Sequence, residues 1–95
     1  MEMITAIVLI NADLKAIERL GPEIASLPNV AEVYSVTGDY DFVAVVRVKD
    51  YDQVATAVAK QIAQVQGVIS TNTMLAFQCF SRYDMEHMWS IGLES

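Results

Sequence analysis

Hydrophobic residues are grouped along the chain in runs that have the lengths of strands and helices. Residues 3–10 form a continuous apolar run, which predicts a buried first strand. Residues 33–36 and 42–48 are rich in β-branched and aromatic residues. The short Gly/Asp/Tyr connection between them predicts an antiparallel hairpin. Gly38 is expected to supply the positive φ that such a tight connection requires.

The second strand of this hairpin is apolar on both faces. Side chains alternate along a strand, so that neighbours point to opposite sides of the sheet. The two faces are formed by Phe42, Ala44, Val46 and Val48 on one side and by Val43 and Val45 on the other. Helices can cover one face, but the other also needs a cover. Because 95 residues leave little chain for that purpose, we expect a second copy to provide it.

Two helices are predicted from apolar residues that recur every three or four positions. Asp13 is expected to cap the first helix, and the Gly21-Pro22 pair to break or kink it. Asp50 and Gln53 have the spacing of a capping box at the start of the second helix, which Gly67 is expected to end. The predicted inward residues are Leu14, Ile17, Leu20, Ile24 and Leu27 in the first helix, and Val54, Val58, Ile62 and Val65 in the second.

A final strand is predicted from Val68 to Phe80, and the order of elements is therefore βαββαβ. This is the ferredoxin-like α+β fold, with a four-stranded antiparallel sheet and both helices on one face. Two such sheets packed face to face would form a dimer. We expect residues 1–81 to form this domain and residues 82–95 to form a tail. A short tail helix is predicted to begin at Asp84 and to pack Met85, Met88 and Trp89 against the chain or its dimer partner. The alternative is that this helix docks one dimer onto another.

Composition supports self-association and argues against several classes of partner. Hydrophobic residues make up 54% of the chain, which is more than a domain of this size normally buries. Six Lys and Arg residues against twelve Asp and Glu give a net charge of −6, the wrong sign for direct nucleic-acid binding. The lone Cys79 fits a reducing compartment. Without a signal-like or membrane-spanning segment, the protein is expected to be cytoplasmic and to have no membrane partner.

The sequence contains little that supports catalysis. His87 and Cys79 are the only residues of their types, so one subunit provides neither a thiol nucleophile with its base nor a Cys/His metal site. Gly38 and Gly67 are isolated, and no phosphate-binding or dinucleotide-binding motif is present. We therefore predict a non-enzymatic protein without catalytic residues, metal or cofactor.

The remaining polar chemistry lies in the hairpin connection and the last strand. Asp39 or Asp41 is suited to accept hydrogen bonds from the ammonium group of a free amino acid. Its carboxylate would need donors. Candidate donors are the amides near Gly38 and the hydroxyls of Ser70, Thr71 and Thr73. On residue chemistry alone, an ordinary Asp-rich turn beside a Thr-rich strand is the simpler interpretation.

Two segments resemble the effector-binding domain of the Lrp/AsnC family of regulators. They are residues 27–42, with the pattern LP.V.EVY.VTG.YDF, and residues 67–73, which open the last strand. The resemblance extends to about Phe80. It implies dimers formed through the sheets, octamers or similar rings formed from the dimers, and amino acids bound at the interfaces between dimers. By this resemblance the ligand loop includes Thr37, Gly38, Tyr40 and Asp41, with Thr71 and Thr73 nearby; Asp39 lies in the same loop.

The chain departs from full-length members of that family because it begins with its first strand and not with a helix-turn-helix domain. The resemblance therefore implies an amino-acid sensor that regulates transcription indirectly, either alone or together with full-length Lrp/AsnC regulators. A small dimeric α/β-barrel monooxygenase shares this topology and remains an alternative, with Asn11, His87 and Trp89 as the residues available for catalysis. A purely structural oligomerisation module is the other alternative.

Overall fold

The computed structural model describes residues 3–80 and residue 82. Four strands form one antiparallel sheet in the order β2-β3-β1-β4: β1 Ile4–Ala12, β2 Val30–Ser35, β3 Phe42–Val48 and β4 Val68–Ala76. Helix α1, Ile17–Ala25, connects β1 to β2, and helix α2, Tyr51–Ala55, follows β3. A π-helical turn, Thr56–Gln61, and a 3₁₀ turn, Ile62–Gln64, continue α2 towards β4. The predicted ferredoxin-like βαββαβ fold is confirmed.

One face of the sheet packs against the helices and forms the core. Along β1, Ala6, Val8 and Ile10 are completely buried, and the register pairs them with Val46, Ala44 and Phe42 of β3. The helices add Leu20, Ile24, Val54, Ala57 and Ile62 to the same cluster. The alternation predicted for residues 42–48 is therefore confirmed.

The opposite face of the sheet carries a second set of apolar side chains, which we call the open face. Its central residues are Ile7, Leu9, Val43, Val45 and Met74, which the register places side by side across three strands. Met74 remains 47% exposed. Within the described chain no helix covers this side. Helix α1 and the helical segment 51–64 both pack against the buried residues of the opposite face.

The first helix differs from its prediction at its start. Asp13 does cap the segment, because its Oδ1 accepts a hydrogen bond from the Lys15 amide at 3.0 Å. The first turn, Leu14–Ala16, is 3₁₀ and not α-helical, and this tighter winding leaves Leu14 84% exposed while Ala16 is buried. The prediction of an inward Leu14 was therefore wrong.

The break predicted at Gly21-Pro22 is also absent, because α1 continues through Pro22 to Ala25. Proline removes a backbone donor and disfavours a helix interior. Leu20 and Ile24, on either side of this pair, are completely buried against the sheet. Packing on the core face thus maintains a helix that local propensity alone would interrupt.

The second helix begins at its predicted cap, but the prediction that it ends at Gly67 was wrong, because the last helical turn ends at Gln64 and Val65 is already extended. The Gln53 amide donates to Asp50 Oδ1 at 3.0 Å, and Gln53 Oε1 accepts from the Lys49 amide at 2.8 Å. At the other end Gly67 has φ of +106°, and a Cβ there would lie 2.4 Å from the Cβ of Ala16. Gly67 therefore allows the chain to enter β4 close to the first helical turn.

The last strand is shorter than predicted, since it ends at Ala76 and not at Phe80. Ala76 pairs with Thr5, one residue from the start of β1, so the chain beyond has no neighbouring strand. Phe77 and Phe80 are 97% and 81% exposed. The helix predicted from Asp84 lies outside the described residues. Among the described residues, no helix has the length and apolar character needed to cross a membrane.

Candidate functional site

The connection between β2 and β3, residues 36–41, forms a closed loop, which we call the hairpin loop. The Val36 amide donates to the Asp41 carbonyl at 3.1 Å and closes its base. The Asp41 amide donates to the Ile10 carbonyl at 2.9 Å and attaches the loop to the end of β1. Gly38 has φ of +105°, as predicted, and allows the chain to reverse direction.

The carboxylate of Asp41 makes a further contact with β1. Its Oδ2 accepts a hydrogen bond from the Ala12 amide at 2.8 Å, although the two residues are 29 positions apart in the sequence. Ala12 is only 7% exposed, so this bond satisfies a backbone donor that is largely shielded from water. The side chain of Asp41 therefore helps to hold the hairpin loop against the end of β1.

Tyr40 attaches the loop to β4, the strand that pairs with β1 on the side opposite to β3. Its hydroxyl accepts a hydrogen bond from Asn72 Nδ2 at 3.2 Å. Asn72 pairs with Leu9 across the sheet, and its side chain therefore lies on the open face. A second pair, Asn11 and Ser70, lies on the same face, with Asn11 Nδ2 donating to Ser70 Oγ at 3.3 Å. We call these four residues the polar patch.

The polar patch was only partly recognised from the sequence. Ser70 was considered as a donor, Asn11 only for the enzyme alternative, and Asn72 not at all. The pairing of Asn11 with Ser70 depends on the β1–β4 register, which shifts between Asn11 and Ala12. A polar residue within an apolar strand, such as Asn11, is the one signal in the sequence that marks this position.

The predicted site residues are therefore brought together only in part. Thr37, Gly38 and Asp39 lie exposed at the tip of the hairpin loop, beside the half-buried Tyr40 and Asp41. Thr71 and Thr73 pair with Ile10 and Val8, whose side chains are buried on the helix-covered face. The two threonines thus point to the side of β4 opposite to that of Asn72. A site that contains the loop, Asn72 and both threonines would have to extend around the edge of the sheet.

The chemistry of this region suits recognition of a small polar molecule. The loop offers two carboxylates as acceptors and exposed backbone amides as donors, and the polar patch adds amide and hydroxyl groups. In the part of the chain that the structure describes, no group of three or more His, Cys, Asp or Glu residues is arranged to hold a metal ion. Cys79 is exposed.

A depression lies on the helix-covered side of the sheet, between the helical segment 51–64 and β4. It has a volume of about 370 Å³ and is mainly apolar. It is lined by Tyr51, Val54, Ala55, Val58, Ala59, Thr73 and Leu75. The enzyme alternative requires a cleft of this kind with catalytic side chains inside. Asn11 lies instead on the open face, and His87 and Trp89 lie outside the described residues.

Comparison with known proteins gives one family. The family model of the Lrp/AsnC ligand binding domain matches residues 5–85. The HTH-type transcriptional regulator FL11 of Pyrococcus furiosus is 28% identical over 75 residues, which cover 79% of this chain and 49% of the regulator. This chain thus spans about half the length of the curated relatives that it matches.

Solved structures agree with this result. The protein TTHA0845 from Thermus thermophilus is 50% identical, with a TM-score of 0.78 over 84% of this chain and 100% of that one. The transcriptional regulator NMB0573 of Neisseria meningitidis, solved as a complex with L-Met, is 15% identical and has a TM-score of 0.74. The match covers 83% of this chain and 53% of the regulator. At that identity the likeness concerns the fold alone.

Proposed function

Because this chain belongs to the Lrp/AsnC family as a ligand-binding domain, we propose that it senses free amino acids and regulates transcription without catalysing a reaction. The family assignment supports a ligand-sensing, regulatory role, since the matching relatives are named transcriptional regulators. The identity of the ligand and the way in which it acts are our proposals.

The observation that carries the proposal is the geometry of the hairpin loop. Its base is attached to β1 through Asp41, and Tyr40 attaches it to β4. Its tip, Thr37 to Asp39, presents amides and a carboxylate to the outside. Because these hydrogen bonds already hold the base of the loop, less of the protein has to be ordered when the free tip binds a small zwitterion. The L-Met complex of NMB0573 makes an amino acid the natural class to test.

A second copy of the chain is part of this proposal. The open face presents apolar side chains from three strands, and a sheet-to-sheet dimer would bury them. Dimers would then assemble into an octamer or a similar ring, with the hairpin loops at the interfaces between dimers. A ligand bound at such an interface shifts the assembly equilibrium only if it binds one assembly more tightly than the other.

The route to transcription is proposed to be indirect. This chain resembles only the ligand-binding part of its relatives, and its net charge of −6 opposes contact with DNA phosphates. Co-assembly with full-length Lrp/AsnC regulators would connect ligand binding to DNA. A cytoplasmic location is proposed because the single cysteine fits a reducing compartment.

The test is a thermal-unfolding screen against each of the twenty common amino acids at about 10 mM, with the mass of the assembly measured in parallel. A ligand present at one hundred times its dissociation constant adds about 2.7 kcal/mol of stability. For a domain of this size, that corresponds to an increase of roughly ten degrees or more in the unfolding midpoint. A selective increase with one or a few amino acids supports the sensor. If none of the twenty shifts the midpoint or the mass, the amino-acid proposal is wrong and a structural module becomes the better interpretation.

A further inference from the structure

We propose that the two carboxylates of the hairpin loop have different roles. Asp41 is a positioning residue, and Asp39 is the carboxylate that receives the ammonium group of the ligand. This inference rests on the proposed function, because it assigns roles within the same site. It distinguishes two aspartates that residue chemistry alone offered as alternative acceptors.

The contacts of Asp41 are all directed into the fold. Its amide donates to the Ile10 carbonyl at 2.9 Å, and its carbonyl accepts from the Val36 amide at 3.1 Å. Its Oδ2 accepts from the Ala12 amide at 2.8 Å. Backbone and side chain together thus attach the loop to β1. A ligand ammonium at this carboxylate would have to approach a half-buried group that already serves a shielded backbone donor.

Asp39 is in the opposite situation. It is exposed, and within the described chain no hydrogen bond or ion pair involves its carboxylate. Both of its oxygens are therefore available to a ligand without breaking a contact of the fold. Hydrogen bonds between ionised partners are roughly twice as strong as neutral ones, and an approaching second subunit would strengthen them further by excluding water.

The chain that follows Asp39 is held by hydrogen bonds, whereas Gly38 before it lies open. Gly38 precedes it with φ of +105°, and Tyr40 follows it with its hydroxyl held by Asn72. The Asp41 contacts lie one residue further on. Asp39 therefore lies at the free tip, directly before two anchored residues, and this attachment reduces the backbone freedom that is lost when its carboxylate binds a ligand.

Three single substitutions separate the two roles. Asp39→Asn removes the charge at the tip and touches no internal contact. Asp41→Asn removes the charge but retains an oxygen that accepts from the Ala12 amide, whereas Asp41→Ala leaves that amide without its partner. Each variant is compared with the unsubstituted chain in thermal unfolding without ligand and with each of the twenty amino acids at about 10 mM. The responding amino acid is then titrated by calorimetry, together with its N-acetyl derivative, which lacks the ammonium charge.

The expected pattern is specific. Asp39→Asn unfolds at the same temperature as the unsubstituted chain but binds the amino acid at least about tenfold more weakly. The N-acetyl derivative, which lacks the ammonium charge, binds the two chains with equal affinity. Asp41→Asn keeps both its stability and its affinity within about threefold. Asp41→Ala unfolds on the order of ten degrees lower. Rescue by the asparagine is the signature of a positioning role, because an acceptor is retained and the charge is not.

Loss of binding in Asp41→Asn with full binding in Asp39→Asn would overturn the assignment, since the charge would then be needed at position 41. Equal stability of the Asp41→Ala and Asp41→Asn variants would overturn the positioning role without any ligand. If the unsubstituted chain responds to none of the amino acids, the proposed function fails and the role of Asp39 fails with it. The stability comparison at Asp41 still decides the other half of the proposal.

Discussion

The two faces of the sheet are built from the same strands but differ in what covers them. Along β1, Val8 and Ile10 are completely buried beneath the helices, while their neighbours Ile7 and Leu9 lie half-buried on the open face. The helix-covered face brings the elements together into one core. The open face carries Asn11, Ser70 and Asn72 of the polar patch, and through Asn72 it contacts Tyr40 of the hairpin loop. Stability and proposed function are thus separated by the alternation of side chains along a strand.

The largest effect is expected from Leu20→Ala, on the helix-covered face. Leu20 is completely buried, and truncating a buried leucine leaves a cavity in addition to losing apolar contact. We expect a loss of about 2–5 kcal/mol, which is a large part of the stability of a small domain. Denaturant unfolding followed by circular dichroism measures it. Leu14→Ala is the matched control, because this leucine is 84% exposed and should lose less than about 0.5 kcal/mol. Similar losses in the two variants would contradict the assigned core.

A smaller effect on folding, but a clear one on assembly, is expected from Ile7→Lys on the open face. Ile7 lies between Val45 and Met74, so a charge there would be buried without a partner if a second sheet covers this face. The variant should retain the circular dichroism spectrum of a folded chain and sediment as a smaller species than the unsubstituted protein.

Leu14→Lys provides the control for this experiment, since it places the same charge at an exposed apolar residue away from the sheet. Its sedimentation should match that of the unsubstituted protein. An unchanged mass for Ile7→Lys would show that the open face is not where copies of the chain meet, and the sheet-to-sheet dimer would have to be abandoned.

The smallest effect concerns a phenol at the edge of the open face. The Tyr34 hydroxyl donates to Glu32 Oε2 at 2.7 Å. This hydrogen bond, followed by the negative charge of Glu32, raises the pKa of Tyr34 above its usual value, and the charge of Arg47 opposes the shift. The raised pKa favours the protonated phenol in the folded chain. Its stabilising contribution is therefore complete below about pH 10 and is lost as pH rises through the folded-state pKa.

Glu32→Gln should lower the pKa of Tyr34 because it removes the charge that opposes formation of the phenolate. The difference in tyrosinate absorbance between a chain and its Tyr34→Phe variant isolates this one phenol during an alkaline titration. If the difference titration gives the same pKa for Tyr34 in the unsubstituted chain and in Glu32→Gln, the contact with Glu32 does not control that pKa.

The order of elements follows from local properties of the sequence. Alternation along residues 42–48 predicted both faces of β3, and the capping residues Asp13 and Asp50 form the predicted bonds to nearby amides. Gly38 takes the positive φ angle expected of it. Each of these features involves residues only a few positions apart, so the physical cause is present in the sequence pattern itself.

Tertiary packing decided the features that local patterns predicted incorrectly. Leu14 has the right spacing for the core but is displaced by a 3₁₀ turn, and Pro22 lies within a helix that the burial of Leu20 and Ile24 maintains. The end of β4 at Ala76 depends on where β1 begins. These outcomes depend on which elements are neighbours, and composition alone does not specify that.

The candidate site shows the same division. The sequence alone marked the hairpin loop: residue chemistry singled out both of its carboxylates, and the family resemblance added Asp41 to the ligand loop. Only the tertiary structure brought Asp41 to the Ala12 amide, 29 residues away, and Tyr40 to Asn72, 32 residues away. It also placed Thr71 and Thr73 on the other side of β4. The reason is strand register, because a shift of one residue moves a side chain to the opposite face, and register is set by the packing of the whole sheet.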